Sequence, residues 1–199
     1  MKVLVVANDN FVVDRRILQE AKHLIDIGCS VTVVSGFEAS ADKVEEISGV
    51  IVRSFVFKGV PTRTTRAIAR IDQHIPLLGR VLLSCLRSLE VLFGRPSMFE
   101  NFVLSKFKGE QFDVVHVHDM PMLNTGVILA RQVGAKLVYD AHELYWAQAS
   151  FAIPTKLRMI YEEFINIRKA DKVITVNWLI ARALKRLYFV KHVEIIHNA

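Results

Sequence analysis

Short apolar runs alternate along the chain with stretches of helical periodicity. The apolar runs predict strands, most of them buried in a parallel sheet, at residues 2–7, 30–35, 50–57, 113–118, 136–140, 172–176 and 193–197. Between them, apolar residues that recur every three or four positions predict helices at 14–27, 97–108, 121–133, 154–169 and 177–188. Strands that alternate with helices predict an α/β fold built on a doubly wound, Rossmann-like parallel sheet.

Residues 63–94 predict two further helices, because Pro76 interrupts a long stretch of helical periodicity. Asp14 and Asn177 are suited to cap the N-termini of their helices. Gly28 and Gly134 are suited to end helices, since glycine tolerates the left-handed backbone found there.

The composition favours one compact domain over residues 1–199. Hydrophobic residues make up 52% of the chain and charged residues 23%, so a sizeable core can form, and no repeat or low-complexity tract interrupts it. No uncharged apolar run reaches the roughly 18 residues of a spanning helix, and the N-terminus turns polar too soon for a signal peptide. Cys29 and Cys85 lack the spacing of a metal site or a disulfide framework, which favours a reducing, cytoplasmic compartment.

The net charge of +6 and the pI of about 9.4 fit an acidic partner, such as a phosphorylated substrate, anionic lipid or nucleic acid. Much of the basic character lies in residues 63–95, where arginines at 63, 66, 70, 80, 87 and 95 mix with leucine and isoleucine. This stretch is either a helical layer with a solvated basic face or a peripheral surface for anionic membranes. Nucleic acid is not the expected partner, because few aromatic residues interleave with the basic ones.

Polar side chains follow three of the predicted strands. Asn8 and Asp9 follow the first, His118 and Asp119 end the fourth, and residues 140–143 end the fifth. The carboxyl ends of parallel strands meet at one edge of the sheet, where ligands bind near a switch in strand order. The three segments therefore predict a single site.

The loop after the first strand, which reads NDNFVVDRR, disfavours several chemistries. It has no glycine, so it lacks the dinucleotide-binding fingerprint, and the chain has neither a P-loop motif nor a G-x-S-x-G motif. Hydride transfer, P-loop chemistry and serine hydrolysis are therefore disfavoured. Arg15 and Arg16 lie in the first helical turn, where the helix dipole disfavours cations. They are either solvated or paired with an acid such as Glu20, or they face a bound anion.

His116 and His118 share one face of the fourth strand, because strand side chains alternate. One interpretation is a metal site completed by Asp119, His142 and Glu143. However, the continuation typical of dinuclear hydrolases is missing. For His116, a hydrogen-bonded place in the core is favoured, whereas His118 and His142, nearer to strand ends, are better functional candidates.

Tyr145, Trp146 and Phe151 cluster after the polar end of the fifth strand. Packing in the core is the default for such aromatic residues. Aromatic rings beside a polar strand end are also suited to stack on a sugar or to cover a substrate. Both interpretations stay open at this point.

Five segments together resemble the N-terminal domain of family 4 glycosyltransferases of the GT-B fold. In chain order they read DRRILQEAKHLIDIGCSVTVVS, FDVVHVHD, LVYDAHELY, ADKVITVN and VEIIHNA, and they cover nearly the whole chain. Each motif is weak by itself, and the set is fairly specific. The resemblance implies two Rossmann-like domains that face a cleft, with the donor nucleotide held by the second domain. This chain matches the acceptor half, and its end matches the interdomain linker, with Ala199 where glycine is commoner.

The resemblance also implies a retaining transfer from a nucleotide-sugar donor that needs no metal and no cofactor. His142 matches the histidine that contacts the donor sugar and helps to stabilise its developing charge. Further substrate contacts are expected from ten other residues: Asn8, Asp9, Asn10, Arg15, Arg16, His118, Asp119, Glu143, Tyr145 and Trp146. The sequence of the first loop departs from the family pattern, because many members carry glycines there, where the loop is held against the donor phosphates.

The leading hypothesis is therefore the acceptor half of a glycosyltransferase that modifies a glycan or lipid-linked acceptor. It would work with a C-terminal donor domain or subunit, in the cytoplasm or at the cytoplasmic face of a membrane through residues 63–95, and without nucleic acid. The chain by itself is expected to be inactive. The alternatives are a metal-dependent hydrolase that uses His116, His118, Asp119 and His142, or a binding module without activity.

Overall fold

The computed structural model describes residues 1–7, 15–59 and 62–197, without the side chains of Arg15 and Glu38. The predictions made for Asn8, Asp9, Asn10 and the capping residue Asp14 lie outside these residues. The strands are β1 (Lys2–Val6), β2 (Ser30–Val34), β3 (Glu38–Ile47), β4 (Val50–Val56), β5 (Val114–His118), β6 (Lys136–Ala141), β7 (Lys172–Thr175) and β8 (Glu194–Ile195). The helices are α1 (Arg15–Asp26), α2 (Arg63–His74), α3 (Pro76–Leu92), α4 (Met98–Lys106), α5 (Asp119–Val133), α6 (Ile153–Asn166) and α7 (Trp178–Tyr188).

The eight strands form one sheet in the order β3-β4-β2-β1-β5-β6-β7-β8. Every neighbouring pair is parallel except β3 and β4. The order runs outward from β1 to β2 on one side and from β5 to β8 on the other, so the switch point lies between β1 and β5. The predicted α/β, Rossmann-like fold is confirmed, and the site predicted at the strand ends belongs at this switch point.

The sequence analysis missed β3, an antiparallel edge strand. Its residues are mostly polar or small, so they lack the apolar run that identified the other strands. The available sequence signal was the Ser48–Gly49 pair, because Ser-Gly is typical of turns. In the structure both residues have positive φ angles, of 53° and 82°, as a tight hairpin requires. The hairpin therefore adds one antiparallel strand to an otherwise parallel sheet.

The predicted helices are confirmed, with small shifts at their ends. The break at Pro76 separates α2 from α3. Asn177 caps α7, where its side chain accepts a hydrogen bond from the Ile180 backbone N–H at 2.9 Å. Gly134 follows α5 with a left-handed φ of 70°. Among the described residues, no helix is both long enough and apolar enough to cross a bilayer.

The two faces of the sheet are covered differently. On one face, side chains from the central strands pack with α4, α5 and α7 in two apolar clusters that include Val117, Leu129 and Leu184. On the other face, Ile17 and Ala21 of α1 pack on β1, β2 and β4. Because β5 alternates, Val115 and Val117 point to the first face, and His116 and His118 point to the face that carries α1.

A buried polar network joins the helices on the first face. Glu100 of α4, whose side chain is 1% exposed, accepts hydrogen bonds from Arg87 of α3 and from Asn124 of α5. The Asn124 amide oxygen in turn accepts a bond of 3.1 Å from Asn166 of α6. From the sequence, Arg87 belonged either to a solvated basic face or to a surface for anionic membranes; in the structure its guanidinium is instead bound to this buried carboxylate.

Helix α5 packs unusually close to β5 at Gly126. A β-carbon at this position would lie 2.0 Å from the Val117 Cγ2 atom, well inside van der Waals contact. We expect Gly126→Ala to lower the free energy of unfolding by about 1 to 3 kcal/mol, the usual cost of overpacking. Urea denaturation measures this difference. The double variant Gly126→Ala/Val117→Ala should be less destabilised than the sum of the two single variants, because the smaller side chain makes room for the new methyl group. If the two losses simply add, the Gly126–Val117 contact does not cause the effect.

Candidate functional site

The residues predicted to form the site meet at the carboxyl ends of β5 and β6. His118 ends β5, Asp119 begins α5, and Asp140 and His142 lie at the end of β6. The register pairs His118 with Asp140 on the adjacent strand. The sheet therefore brings together side chains that are more than twenty residues apart in the sequence.

Asp119 fixes the backbone at His142. Its Oδ1 atom accepts a hydrogen bond of 2.9 Å from the His142 backbone N–H. Asp119 also has a φ of 60°, a left-handed conformation that few residues other than glycine, asparagine and aspartate adopt. Such strain costs of order 1 to 3 kcal/mol and is concentrated at functional sites. The turn from β5 into α5 is therefore a second indication of a site at this position.

Three histidines form a row across β5 and β6. The His118 and His142 rings have their centroids 5.3 Å apart, and His118 Nδ1 lies 3.1 Å from His142 Nε2, a hydrogen-bond distance. The His116 and His118 rings are stacked, with centroids 4.8 Å apart. The row is enclosed, since His116 is 7% and His118 is 3% exposed.

Two carboxylates flank the row of histidines. Glu20 of α1 is hydrogen-bonded to His116 Nδ1, and its Oε2 atom lies 3.3 Å from His118 Nε2. At the other end, Asp140 Oδ2 lies 3.2 Å from His142 Nε2. Glu20 therefore contacts His116 and His118, and Asp140 is bonded to His142.

The surroundings shift the pKa values of His118 and His142 in opposite directions. Burial, and then the charge of His116, lowers the pKa of His118 to about 4, so His118 is neutral at physiological pH. Burial alone would also lower the pKa of His142, but its hydrogen bond to Asp140 and the charges of Asp140 and Asp119 raise it above the ordinary value. Of His118 and His142, it is therefore His142 that is biased towards the protonated form.

The pKa values of Asp119 and Asp140 are likewise shifted in opposite directions. Burial raises the pKa of Asp119 to about 6, although His142 and Arg16 oppose this effect. For Asp140, burial favours the neutral form, but the bond to His142 and the nearby histidines outweigh it and lower the pKa. A pair of carboxyl groups with pKa values pushed apart, next to an imidazole, is typical of a functional site.

A groove of about 560 Å³ runs along the strands on the face that carries α1. Its floor includes Val114, Val138 and Ile174 of three neighbouring strands. At the carboxyl edge of the sheet, Arg16 and His142 line its end. Most of the groove is apolar, and the charged groups are concentrated at the end where the strands finish.

The other predicted residues lie around this end. Glu143 is exposed and accepts a hydrogen bond of 2.8 Å from the Gln148 side chain. Tyr145 and Trp146 belong to a short 3-10 helix, Tyr145–Ala147, that packs against α6, and both are partly buried. His118 lies behind His142 and is buried, and its contacts are with His142, His116 and Glu20.

Sequence reasoning did not identify Glu20 as a member of the site. It was considered as a partner of Arg15 or Arg16, and in the structure its carboxylate binds His116. A signal was available, because Glu20 lies one turn after Arg16 and directly before the buried Ala21 on the face of α1 that packs on the sheet. A charged residue at the margin of a buried helical face requires a polar partner on the sheet below.

The described residues contain two groups of side chains that could hold a metal ion. One consists of Glu20, His116 and His118, and the other of His118, Asp140 and His142. Several of their polar atoms are buried without a hydrogen-bond partner: His116 Nε2, His118 Nε2, Asp140 Oδ1 and His142 Nδ1. Of the residues predicted for a metal-dependent hydrolase, His116, His118 and His142 occur in these groups. Asp119 occurs in neither, and its Oδ1 atom accepts a hydrogen bond from the His142 backbone N–H.

The model of Glycosyltransferase Family 4 matches residues 13–199. No curated protein sequence matches the chain.

Two solved chains of one synthase share this fold at low sequence identity, and a glycosyltransferase structure matches more weakly. Sucrose-phosphate synthase from Thermosynechococcus elongatus matches 99% of the chain at 11% identity, with a TM-score of 0.61, and the chain covers 47% of that protein. A second chain of the same synthase matches at 10% identity with a TM-score of 0.60, and the chain covers 90% of it. The glycosyltransferase SsfS6 from Streptomyces sp. SF2575, complexed with thymidine diphosphate, matches 89% of the chain at 12% identity and a TM-score of 0.45, and the chain covers 49% of it. The chain thus spans about half the length of the first synthase.

Proposed function

The chain belongs to Glycosyltransferase Family 4, and on that premise we propose that it supplies the acceptor-side half of a retaining glycosyltransferase. The enzyme would transfer a sugar from a nucleotide-sugar donor to a glycan or glycolipid acceptor. One observation carries the proposal. His142 stands at the carboxyl end of β6 beside the switch point, with its backbone held by Asp119 and its imidazole held by Asp140.

His142 would contact the donor sugar. Its raised pKa favours a positively charged imidazole, which would attract the donor phosphate while its Nε2–H stays bonded to Asp140. Arg16 adds a positive charge at the same end of the groove, where a phosphate would be favoured. Such preorganised groups stabilise charge that develops in the transition state. No resident metal or other cofactor is needed for this role.

The nucleotide would be held mainly by a C-terminal donor domain or subunit. We propose substrate contacts for Asn8, Asp9, Asn10 and Arg15 as well, because β1 ends beside the switch point and ligands bind at the carboxyl ends of such strands. Residues 1–199 are expected to be inactive by themselves, since donor positioning supplies much of the rate.

Tyr145 and Trp146 would form the wall of the acceptor side. They follow His142 and Glu143 directly, and the short 3-10 helix that carries them packs on α6. Aromatic rings at such a place stack well on the apolar faces of sugars. Glu143, which is exposed, would accept hydrogen bonds from acceptor hydroxyls.

Family membership favours glycosyl transfer over the two alternatives, a metal-dependent hydrolase and a binding module without activity. The test is an activity assay of the protein produced from its natural reading frame. A panel of nucleotide sugars is offered as donors, and the release of nucleoside diphosphate is measured. Release that depends on an added glycan or lipid-linked acceptor supports the proposal. Hydrolysis of an ester or amide with no response to any nucleotide sugar would favour the hydrolase.

The surface of α2 and α3 supports a membrane location for the acceptor. Arg63, Arg66, Arg70 and Arg80 are exposed on these helices. Large apolar side chains are exposed beside them, including Ile75, Leu77, Leu78, Leu89, Leu92 and Phe93. A groove of about 600 Å³ between α3 and α6, lined by residues such as Val81 and Leu157, continues this apolar surface. Basic and apolar groups together are typical of proteins that bind anionic membranes at their surface.

We expect the protein to sediment with vesicles that contain anionic lipid at low salt, and less with neutral vesicles. Each basic residue near such a surface contributes about 1 kcal/mol. The double variant Arg70→Gln/Arg80→Gln should therefore bind about 30-fold more weakly. Lys185→Gln/Arg186→Gln on α7 is the control, because it removes the same charge from another exposed surface. Equal losses in both variants, or equal binding to neutral vesicles, would show that residues 63–95 are not a membrane surface.

A further inference from the structure

The Nε2 atom of His142 lies within hydrogen-bond reach of two side chains. Asp140 Oδ2 lies 3.2 Å away, and His118 Nδ1 lies 3.1 Å away. A carboxylate oxygen only accepts hydrogen bonds, so the bond to Asp140 requires a proton on His142 Nε2. That proton can also face His118 only if His118 Nδ1 carries a lone pair, because two N–H groups repel each other at this distance. The single proton of the neutral His118 ring must then lie on its Nε2 atom.

Glu20 of α1 is placed to hold the proton of His118 on Nε2. Its Oε2 atom lies 3.3 Å from this nitrogen, and because the two atoms are not aligned as a hydrogen bond, the attraction between them is electrostatic. Burial raises the pKa of Glu20, but the hydrogen bond and the charge of His116 outweigh burial and lower it, so Glu20 is ionised at neutral pH. A negative charge at this distance favours a proton on the nitrogen that it faces.

The surroundings fix the Glu20 carboxylate in this place. Its Oε1 atom is hydrogen-bonded to His116 Nδ1, and the His116 ring is stacked on the His118 ring. The side chain of Glu20 is 27% exposed and that of His118 is 4% exposed, so little water lies between them. An electrostatic interaction in such an enclosed place is stronger than it would be in water. Glu20 is thus linked to His142 through the ring of His118.

We propose that Glu20 is a positioning residue for the sugar transfer, and that it acts through His118 to keep a proton on His142 Nε2. This inference rests on the proposed function, in which a positively charged His142 attracts the donor phosphate. With the proton in place, His142 stays bonded to Asp140 and keeps its charge. Without it, His142 is neutral, and its Nε2 lone pair faces the Asp140 carboxylate, which repels it.

Glu20→Gln tests the inference, because glutamine has the same shape as glutamate but carries N–H donors. Its amide oxygen can still accept the hydrogen bond from His116, and its amide N–H groups then face His118 Nε2. His118 must move its proton to Nδ1, where that proton opposes the one on His142 Nε2. We expect kcat of the protein produced from its natural reading frame to fall by about 10- to 100-fold, the scale for losing one hydrogen bond to a charged group. The KM for the acceptor should change little, because His142 acts on the donor.

The protons on the two rings are located by NMR in the protein without substrate. The ring-nitrogen signals of a histidine distinguish a nitrogen that carries a proton from one that carries a lone pair. In the unaltered protein we expect the proton of His118 on Nε2 and a proton on His142 Nε2. In Glu20→Gln we expect the proton of His118 on Nδ1 and none on His142 Nε2. This measurement needs no activity, so it separates a failure of this inference from a failure of the proposed transfer reaction.

Further variants make the assignment specific. Glu20→Asp keeps the charge on a shorter side chain and should lose less activity than Glu20→Gln. His118→Asn keeps an amide oxygen that can accept the hydrogen bond from His142, so it should retain more activity than His118→Leu. Glu46→Gln removes an exposed carboxylate from β3 and should change neither kcat nor the ring signals. The folding of each variant is checked by circular dichroism, and the ring signals of the unaltered protein decide the matter where a variant does not fold.

Three results would overturn the inference. One is an unaltered protein in which His118 carries its proton on Nδ1. Another is a lowered kcat in Glu20→Gln with unchanged ring signals, which would make Glu20 a substrate contact. The last is a change of the ring signals with no change of kcat. If the unaltered protein releases no nucleoside diphosphate from any nucleotide sugar, the proposed function fails and the role in transfer fails with it. The ring signals still decide whether Glu20 sets the proton on His142.

Discussion

Replacing His142 with alanine should lower kcat of the proposed glycosyltransferase by roughly 10² or more. That is the scale for losing one preorganised polar contact to a charged transition state. The physical reason is the way His142 is held. Asp119 binds its backbone N–H at 2.9 Å, and Asp140 lies 3.2 Å from its Nε2 atom, so the imidazole reaches the reaction already oriented and biased towards the protonated form.

The measurement is kcat per folded molecule, together with thermal melting of the same preparation. Some loss of stability is expected, because the variant leaves Asp140 and His118 Nδ1 without a partner inside the protein, at about 1 to 3 kcal/mol. His74→Ala, at an exposed position, is the control for general effects of losing a histidine. If kcat per folded molecule stays near normal while the melting temperature falls clearly, His142 is a core residue and the proposed site is wrong.

The fold could be predicted because its signals are local. A parallel sheet buries both faces of its central strands, so β1, β5 and β6 carry continuous apolar runs that can be recognised without the partner strands. The helices on either side of Pro76 followed from the fixed geometry of proline. Strand β3 has neither signal, because it is an edge strand with a polar sequence, and only the turn at Ser48 and Gly49 indicated it.

The site could be located from the sequence, but its internal contacts could not. His118, Asp119 and Asp140 end their strands, and the rule for parallel sheets places such residues at one edge. Whether His118 faces solvent or His142 depends on the register between β5 and β6, which a single sequence does not specify. The same holds for Glu20, since its pairing with His116 depends on how α1 crosses the sheet.

Arg87 shows the limit of composition as a guide. In the sequence it is one of six arginines in a basic, apolar stretch, and nothing local distinguishes it from Arg80. In the structure Arg80 is exposed, whereas Arg87 is bound to a carboxylate thirteen residues away on the next helix. The partner, Glu100, is also the acidic residue of a capping box with Ser97, so its local role at the start of α4 gave no indication of the ion pair.

Arg87→Met should lower the free energy of unfolding by about 3 to 5 kcal/mol at neutral pH, the cost of leaving a buried charge without its partner. Glu100 is 1% exposed, and Arg87 binds both of its oxygens. The guanidinium also lies 3.6 Å from Glu162, which keeps Arg158 as a partner at 2.7 Å in the variant. Methionine retains most of the arginine stem, so the lost charge dominates the effect.

The stability difference between the unaltered protein and Arg87→Met should depend on pH. Burial alone would raise the pKa of Glu100, but the hydrogen bonds and the charge of Arg87 outweigh burial and lower it. In the unaltered protein, this group therefore stabilises the fold above its unfolded pKa of about 4.5, and the stabilisation is lost as the pH falls through the folded pKa. In Arg87→Met, burial is no longer opposed by Arg87 and Glu100 can take up a proton. The difference between the two proteins should therefore shrink towards acidic pH.

Urea denaturation of both proteins at neutral and mildly acidic pH measures the effect. Arg80→Met on the same helix is the matched control, and its change should stay within about 0.5 kcal/mol, as is usual for exposed positions. Glu100→Gln added to Arg87→Met should restore much of the stability, because it removes the buried charge and keeps an amide that can bond to Ser97 or Asn124. A double variant as unstable as Arg87→Met, with no change in the difference across pH, would mean that lost packing causes the effect and that the ion pair does not.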